Sequence, residues 1–212
     1  MRLLQPDRHV AAFAAVLIAI GFCQAAPGQM TITEVGLLED QLELVNTGAT
    51  TIDMSTWWWC NRVNGSPFYS AVNASTIEAS LSTTTSLASV APGDIVVFNL
   101  SSTILRDPNG ELGLYNTNSF GSASAIEDYV LWGANGIRDL TAQTAGIWID
   151  NDSIDHSSLV LGETIQLIAG LPGHQAAHYA IGPSSLGVDN SIPEPATLGL
   201  LLAGLAFAGR RC

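Results

Sequence analysis

Apolar and polar residues alternate through much of the middle of the chain. The pattern is clear in MTITEVG (30–36) and QLELVN (41–46). A period of two places successive side chains on opposite faces of a strand, so these segments predict a sheet with one buried face. The same reading extends to IDMSTWWWC (52–60), GDIVVFNL (93–100), GELGLYN (110–116), IEDYVLWG (126–133), GIWID (146–150) and ETIQLIAG (163–170). Between them stand NTG, NGSP, APG and RDPNGE. In such turns Gly and Asn accept positive φ and Pro fixes its own. No stretch of ten residues inside 29–181 keeps a clean 3.6-residue repeat. Short strands joined by tight turns predict an all-β domain, an antiparallel sandwich or barrel.

Two segments break the alternation. ASTIEASLSTTTSLASV (74–90) is rich in Ser and Thr yet keeps Ile77, Leu81, Leu87 and Val90. It reads either as a flexible excursion or as part of the same domain. GPSSLGVDNSI (182–192) has Gly, Ser and Pro without alternation and reads as a linker.

The two ends are different in kind. Residues 1–25 read as a secretory signal: Arg2 and Arg8, an apolar run from Val10 to Phe22, then small residues suited to cleavage after Ala25, or else after Ala26. Thirteen apolar residues are too few to span a bilayer comfortably. Cys23 would mark a lipoprotein, but bulky Phe22 precedes it where such signals have a small residue. With Cys23 removed and Cys212 beyond the terminal apolar run, Cys60 stands alone in the body. No internal disulfide and no zinc spacing follow from that count, and a buried, inert thiol is expected.

Charge narrows the partners. All seven basic residues are arginine. Between residues 29 and 192 only Arg62, Arg106 and Arg138 stand against 17 acidic residues, a net charge of −14 with histidines neutral. Such a field repels nucleic acid phosphates and anionic headgroups, so no nucleic acid partner is expected; cations and neutral sugars are easier to accommodate.

The strand motifs ITEV (32–35), LELVNTG (42–48), IDMSTWWW (52–59), APGDIVVF (91–98), and GELGLYN followed by IEDYVLWG resemble those of the lamin-tail domain. The likeness runs over roughly 31–135, and departs from the family at Thr56 and in the Ser/Thr-rich insertion. It implies an immunoglobulin-like antiparallel β-sandwich over 29–181, used in secreted bacterial proteins as an interaction or accessory module and bringing no catalytic residues.

Trp57, Trp58 and Trp59 form a run that invites comparison with a carbohydrate platform. In a strand Trp57 and Trp59 would face one way, and Trp58 and Cys60 the other. At least one ring must then enter the core; the others either pack or offer a face to a sugar or protein.

Other chemistry is thin. HQAAH puts His174 and His178 four apart, but Gln175 occupies the place of the glutamate that a metalloprotease uses as general base. DNDSID gathers Asp150, Asp152 and Asp155, hard ligands suited to calcium, without the spacing of a helix-loop-helix site. Asx turns account for it without an ion, and no metal or cofactor is assigned. There is no GxSxG elbow, P-loop or GxGxxG fingerprint. Glu127 and Asp128 are adjacent in a strand pattern and would point apart. Scattered acids leave a secreted hydrolase of polysaccharide or phosphoester as the alternative to a non-enzymatic module.

The C-terminal segment 193–212 carries the most specific signal. Pro193–Glu194–Pro195 precedes fourteen residues without formal charge, Ala196–Gly209, and then Arg210 and Arg211. As a helix the apolar stretch would be about 21 Å long at 1.5 Å per residue, short of a hydrocarbon core of about 30 Å. Its five leucines and Phe207 favour insertion by roughly 2–4 kcal/mol, so membrane residence is marginal and transient. Arginines after an apolar segment stay on the cytoplasmic side. This single hydrophobic helix, with its motif and basic stop, resembles the PEP-CTERM sorting signal of Gram-negative bacteria. The resemblance implies recognition by an exosortase-type membrane protease, brief residence in the inner membrane, and release to the cell surface or to an exopolysaccharide-rich biofilm matrix. Exopolysaccharide or other surface proteins would be its partners there. Pro193, Glu194 and Pro195 would be substrate residues, and Arg210 and Arg211 the membrane stop.

Overall fold

The computed structural model describes residues 29–100, 105, 108–134 and 136–190. The signal segment, the Pro-Glu-Pro motif and the arginine-ended apolar segment lie outside the described residues. Within these, ten strands and one short helix follow the chain: β1 (Met30–Gly36), β2 (Gln41–Asn46), β3 (Trp58–Val63), β4 (Ser66–Ala71), β5 (Thr76–Ile77), β6 (Ile95–Asn99), β7 (Glu111–Tyr115), β8 (Ile126–Leu131), α1 (Asp139–Ala145), β9 (Glu163–Leu167) and β10 (Tyr179–Pro183). One sheet has the order β10-β9-β1-β2-β6-β5, the other β4-β3-β7-β8, and every ladder is antiparallel. The protein is thus mostly β, built from two antiparallel sheets.

The inward parity of each strand supplies one core. Met30, Ile32, Leu42, Leu44, Val96 and Phe98 of the first sheet meet Trp59, Leu112, Leu114 and Val130 of the second, all essentially inaccessible. Trp59 packs edge-on against Phe98 with ring centroids 5.5 Å apart. Asp128 also points inward and pins the sheets together, its Oδ2 accepting the Ile32 N–H at 2.6 Å. Burial pushes this carboxyl up to about 7 despite two backbone N–H bonds that favour its ionised form.

A one-sided sheet predicts solvent on the outer face, but all seven residues of β1 are buried. The register shifts between Ile32 and Glu34, and Glu34 pairs with Glu43 across β1 and β2. Both carboxylates meet the segment after β10. Glu34 accepts Thr164 Oγ1 at 2.7 Å, Ser185 N at 2.9 Å, Ser185 Oγ at 2.6 Å, Ser184 Oγ at 3.1 Å and Asn190 Nδ2 at 3.0 Å. Glu43 accepts Thr33 Oγ1 at 2.7 Å and Gly187 N at 2.6 Å. Leu186 joins Leu81 over Val45, Ile95 and Val97, a small second cluster on the outer face.

The linker expected over 182–192 is therefore corrected. Gly182 and Pro183 end β10, and 184–190 forms a strap across the first sheet. Its serines and asparagine read as solvated in sequence, but they are donors to a buried carboxylate. Gly187 has φ +88°, and a Cβ there would stand 2.9 Å from the Leu81 carbonyl oxygen. Gly187→Ala is expected to loosen the strap at a cost of about 1–2 kcal/mol, read as a lower urea midpoint and faster amide exchange over 184–190.

The Ser/Thr-rich segment belongs to the domain. It contains β5 and then completes the edge of β6 with hydroxyls: Ile95 N donates to Thr83 Oγ1 at 2.8 Å and Val97 N to Ser82 Oγ at 2.9 Å. These side chains close an edge that would otherwise expose free N–H groups. GIWID does not form the expected strand. Gly146 ends α1 in the left-handed conformation at φ 76°, and Trp148 turns inward, its Nε1 donating to the Asp152 carbonyl.

Candidate functional site

β3 and β4 are joined through Asn64 and Gly65, both at positive φ, which sets their register. Trp59 stands opposite Ser70 and Asn61 opposite Phe68. Directly paired residues of an antiparallel ladder share a face. Trp59 faces the core, so Asn61, Ser70 and Phe68 face the same way at the margin of the second sheet. The chain then crosses to the first sheet through a single 3₁₀ turn, Val72–Ala74, and enters β5 at its edge. Between the two margins lies a cleft of about 300 Å³ lined by Trp59, Asn61, Phe68, Ser70, Ser75 and Thr76, with Ala74, Asn99 and Leu100 completing its wall.

The groups in this cleft differ in how far they are committed. Trp59 Nε1 donates to Ser75 Oγ at 3.1 Å. Asn99 is held on both sides, accepting Gln41 Nε2 at 2.9 Å and donating to Glu78 Oε2 at 3.0 Å. Asn61 is 1% exposed, and neither its amide oxygen nor its amide nitrogen has a hydrogen-bond partner. A buried carboxamide with neither group paired costs a few kcal/mol, so the position demands a reason. Phe68, at the rim, is 42% exposed. Among the described residues, no side chain lining the cleft carries a charge.

The tryptophan run does not form a three-ring platform. Trp57 and Trp59 are buried, as their shared inward parity requires. Trp58 faces the opposite side of the second sheet and is half-buried, meeting Phe120 edge-on with centroids 6.1 Å apart. Phe120 in turn stacks on Tyr69 at 4.0 Å. Cys60 lies buried on that side and is a free thiol; burial pushes it up to about 12, leaving it protonated and unreactive.

The remaining candidates carry structural bonds. Glu111 Oε2 accepts Tyr129 OH at 2.6 Å, Ile137 N at 2.7 Å and Arg138 N at 2.9 Å, fixing the turn that enters α1; burial raises its pKa. The Arg138 guanidinium lies over the Tyr69 ring and bonds its hydroxyl. Glu127 bonds Asn116 on one face while Asp128 enters the core on the other, pointing apart as strand neighbours do.

His174 and His178 do not share a helical face. Gln175 is extended, only Ala176–His178 forms a 3₁₀ turn, and the His174 N–H donates to His178 Nδ1 at 3.0 Å. Asp152 accepts Ala176 N at 2.6 Å and Asp155 accepts Ser157 N at 3.0 Å. Among the described residues no three His, Cys, Asp or Glu side chains are placed to hold a metal ion. Asn61 was absent from the sequence expectations. Its parity with Trp59, two positions earlier, was the signal that would have placed a polar amide inside.

No protein-family model matches the chain, and a search of curated proteins finds no match.

Proposed function

We propose that the protein is exported, sorted by an exosortase-type membrane protease, and delivered to the cell surface or extracellular matrix. There its body serves as a non-catalytic binding or structural module. The observation that carries this reading is the C-terminal order of Pro193–Glu194–Pro195, an uncharged apolar segment and Arg210–Arg211. That order sits directly after a body whose last described residue, Asn190, is bonded to Glu34. The two-sheet architecture is compatible with an immunoglobulin-like, lamin-tail-like sandwich, and the strand motifs favour that form. Four of the buried acids, Asp128, Glu34, Glu43 and Glu111, accept structural bonds, which favours a module over a hydrolase built on them.

Intact-mass measurement of protein recovered from producing cells tests the sorting. The expected product lacks the first 25 or 26 residues and has lost the apolar segment beyond the Pro-Glu-Pro motif. Glu194→Ala is expected to leave signal-cleaved chain that keeps its C-terminal apolar segment in the inner membrane. Recovery of untrimmed protein from the cytosol would overturn the proposal.

A further inference from the structure

The cleft beside Asn61 has more to say about what the body binds. We propose that it takes one neutral sugar ring or the short end of a neutral saccharide chain. This rests on the body acting as a binding module, but not on how the chain is sorted.

The first argument is the orphaned amide. Asn61 offers an acceptor and two donors, none used, from a residue that is 1% exposed. A partner that satisfies it must bring a donor and an acceptor side by side. Neighbouring hydroxyls on a sugar ring do so. A carboxylate or phosphate offers acceptors alone and an ammonium group donors alone, so either would leave half the amide unpaired. The net charge of −14 between residues 29 and 192 further disfavours anions.

The second argument is the rest of the lining. Phe68, exposed at the rim, supplies apolar surface for the C–H face of a ring, with the buried edge of Trp59 behind it, and Ser70, Ser75 and Thr76 supply hydroxyls. Ser75 already accepts the Trp59 indole N–H and keeps its own hydrogen for a further acceptor. A few placed polar groups among apolar ones is how small-ligand clefts fix orientation, and about 300 Å³ is at the small end of their range. The third is shape. A peptide backbone also pairs donors with acceptors, but it needs an extended groove or a free strand edge. The first-sheet margin here is a two-residue strand, β5, followed by hydroxyl-capped edge, and the second-sheet margin is the edge strand β4, interrupted by Pro67, which has no N–H to offer.

The test uses the protein purified from producing cells, from whichever fraction holds it, titrated calorimetrically. The probes are glucose, galactose, mannose, N-acetylglucosamine and cellobiose. Glucuronate serves as the anionic comparison, glucosamine as the cationic one, and N-acetyl-alanyl-alanine amide as the peptide one. At least one neutral sugar is expected to bind at millimolar or better affinity, and glucuronate at least tenfold more weakly. Asn61→Leu, which keeps the volume and removes both polar groups, is expected to lower affinity at least tenfold while the melting temperature holds or rises. Phe68→Ala changes an exposed rim residue and is expected to weaken binding severalfold in a folded protein, so the proposal stays testable if the Asn61 variant does not fold. No binding by any neutral sugar, unchanged affinity in both variants, or preference for the peptide amide would each overturn it. A fall in the melting temperature of Asn61→Leu with sugar affinity intact would make the amide structural. None of these results bears on the intact mass, so sorting and ligand fail or stand separately.

Discussion

Raising the pH from 5 to 8 is expected to lower the stability of the body by roughly 3–5 kcal/mol, the reverse of the usual behaviour of surface carboxylates. Two buried acids dominate. Asp128 is raised from 3.8 to about 7 and Glu43 from 4.5 to about 7, both chiefly by burial. Each is protonated in the folded state and ionised in the unfolded chain between those limits, so the folded state holds extra protons. Their contribution is complete below the unfolded value and is lost as pH climbs through about 7. Like charges push the same way: Glu34 and Asp189 act on Glu43, and Glu127 on Asp128. Glu111 and Glu127 are also raised by burial and add to the trend.

Exposed Asp53 and Asp155 and partly exposed Glu78 have the opposite sign. Hydroxyl and N–H bonds from Ser55, Ser80 and Ser157 lower them, so their contribution is lost on acidification. The stability maximum should therefore sit near the unfolded carboxylate values, at about pH 4. Urea midpoints across pH 4–9 measure it, and Asp128→Asn should flatten the alkaline limb. A midpoint that stays constant or rises from pH 5 to pH 8 would show that these carboxyls ionise without penalty. Glu43 can escape its share by releasing the strap, so exchange at the Gly187 amide should quicken before the body unfolds.

The second large effect is expected at Trp59. Trp59→Ala removes a ring that fills the space between the sheets and should cost about 3–5 kcal/mol, a melting-temperature drop on the order of 10 °C. Out of a total of about 5–15 kcal/mol that is a substantial part of the stability. Trp58→Ala should cost only about 1–2 kcal/mol, because that ring is only partly buried. Thermal scans of the two variants separate core from surface. Equal losses would mean that the sheets do not meet at Trp59. Polysaccharide retention by folded Trp58→Ala should match that of the parent protein, because Trp58 lies on the face away from the Asn61 cleft.

The alternation of ITEV and LELV and the short apolar run IVVF made the sheets legible, because half-buried strands separate apolar from polar positions and a strand buried on both faces is apolar throughout. It misled at Glu34 and Glu43. Polar parity there means burial under a strap, and nothing in a period of two distinguishes water from a later segment of the same chain. β4, SPFYSA, was hidden because an edge strand packs weakly and shows no clean pattern, although the Asn64–Gly65 turn before it announces a hairpin. The helix at 139–145 was too short to display a helical period. The Trp run was correctly assigned opposite parities, and those parities deny it a common exposed face. Parity with Trp59 places Asn61 inside, but that neither of its amide groups has a partner is a property of three dimensions and shows only with both sheet margins in view.

The strap brings the body to within three residues of the Pro-Glu-Pro motif. Asn190 is bonded to Glu34, and Pro193 follows three residues later. Three residues of extended backbone reach about 10 Å at most. A protease seated in the bilayer and gripping the Pro-Glu-Pro motif would therefore hold the folded body nearly flush with the lipid surface, acidic shell included. Either that crowding is tolerated, or Ser184–Asn190 must peel from the sheet to lengthen the leash. Cutting would then be gated by how firmly two carboxylates keep their grip.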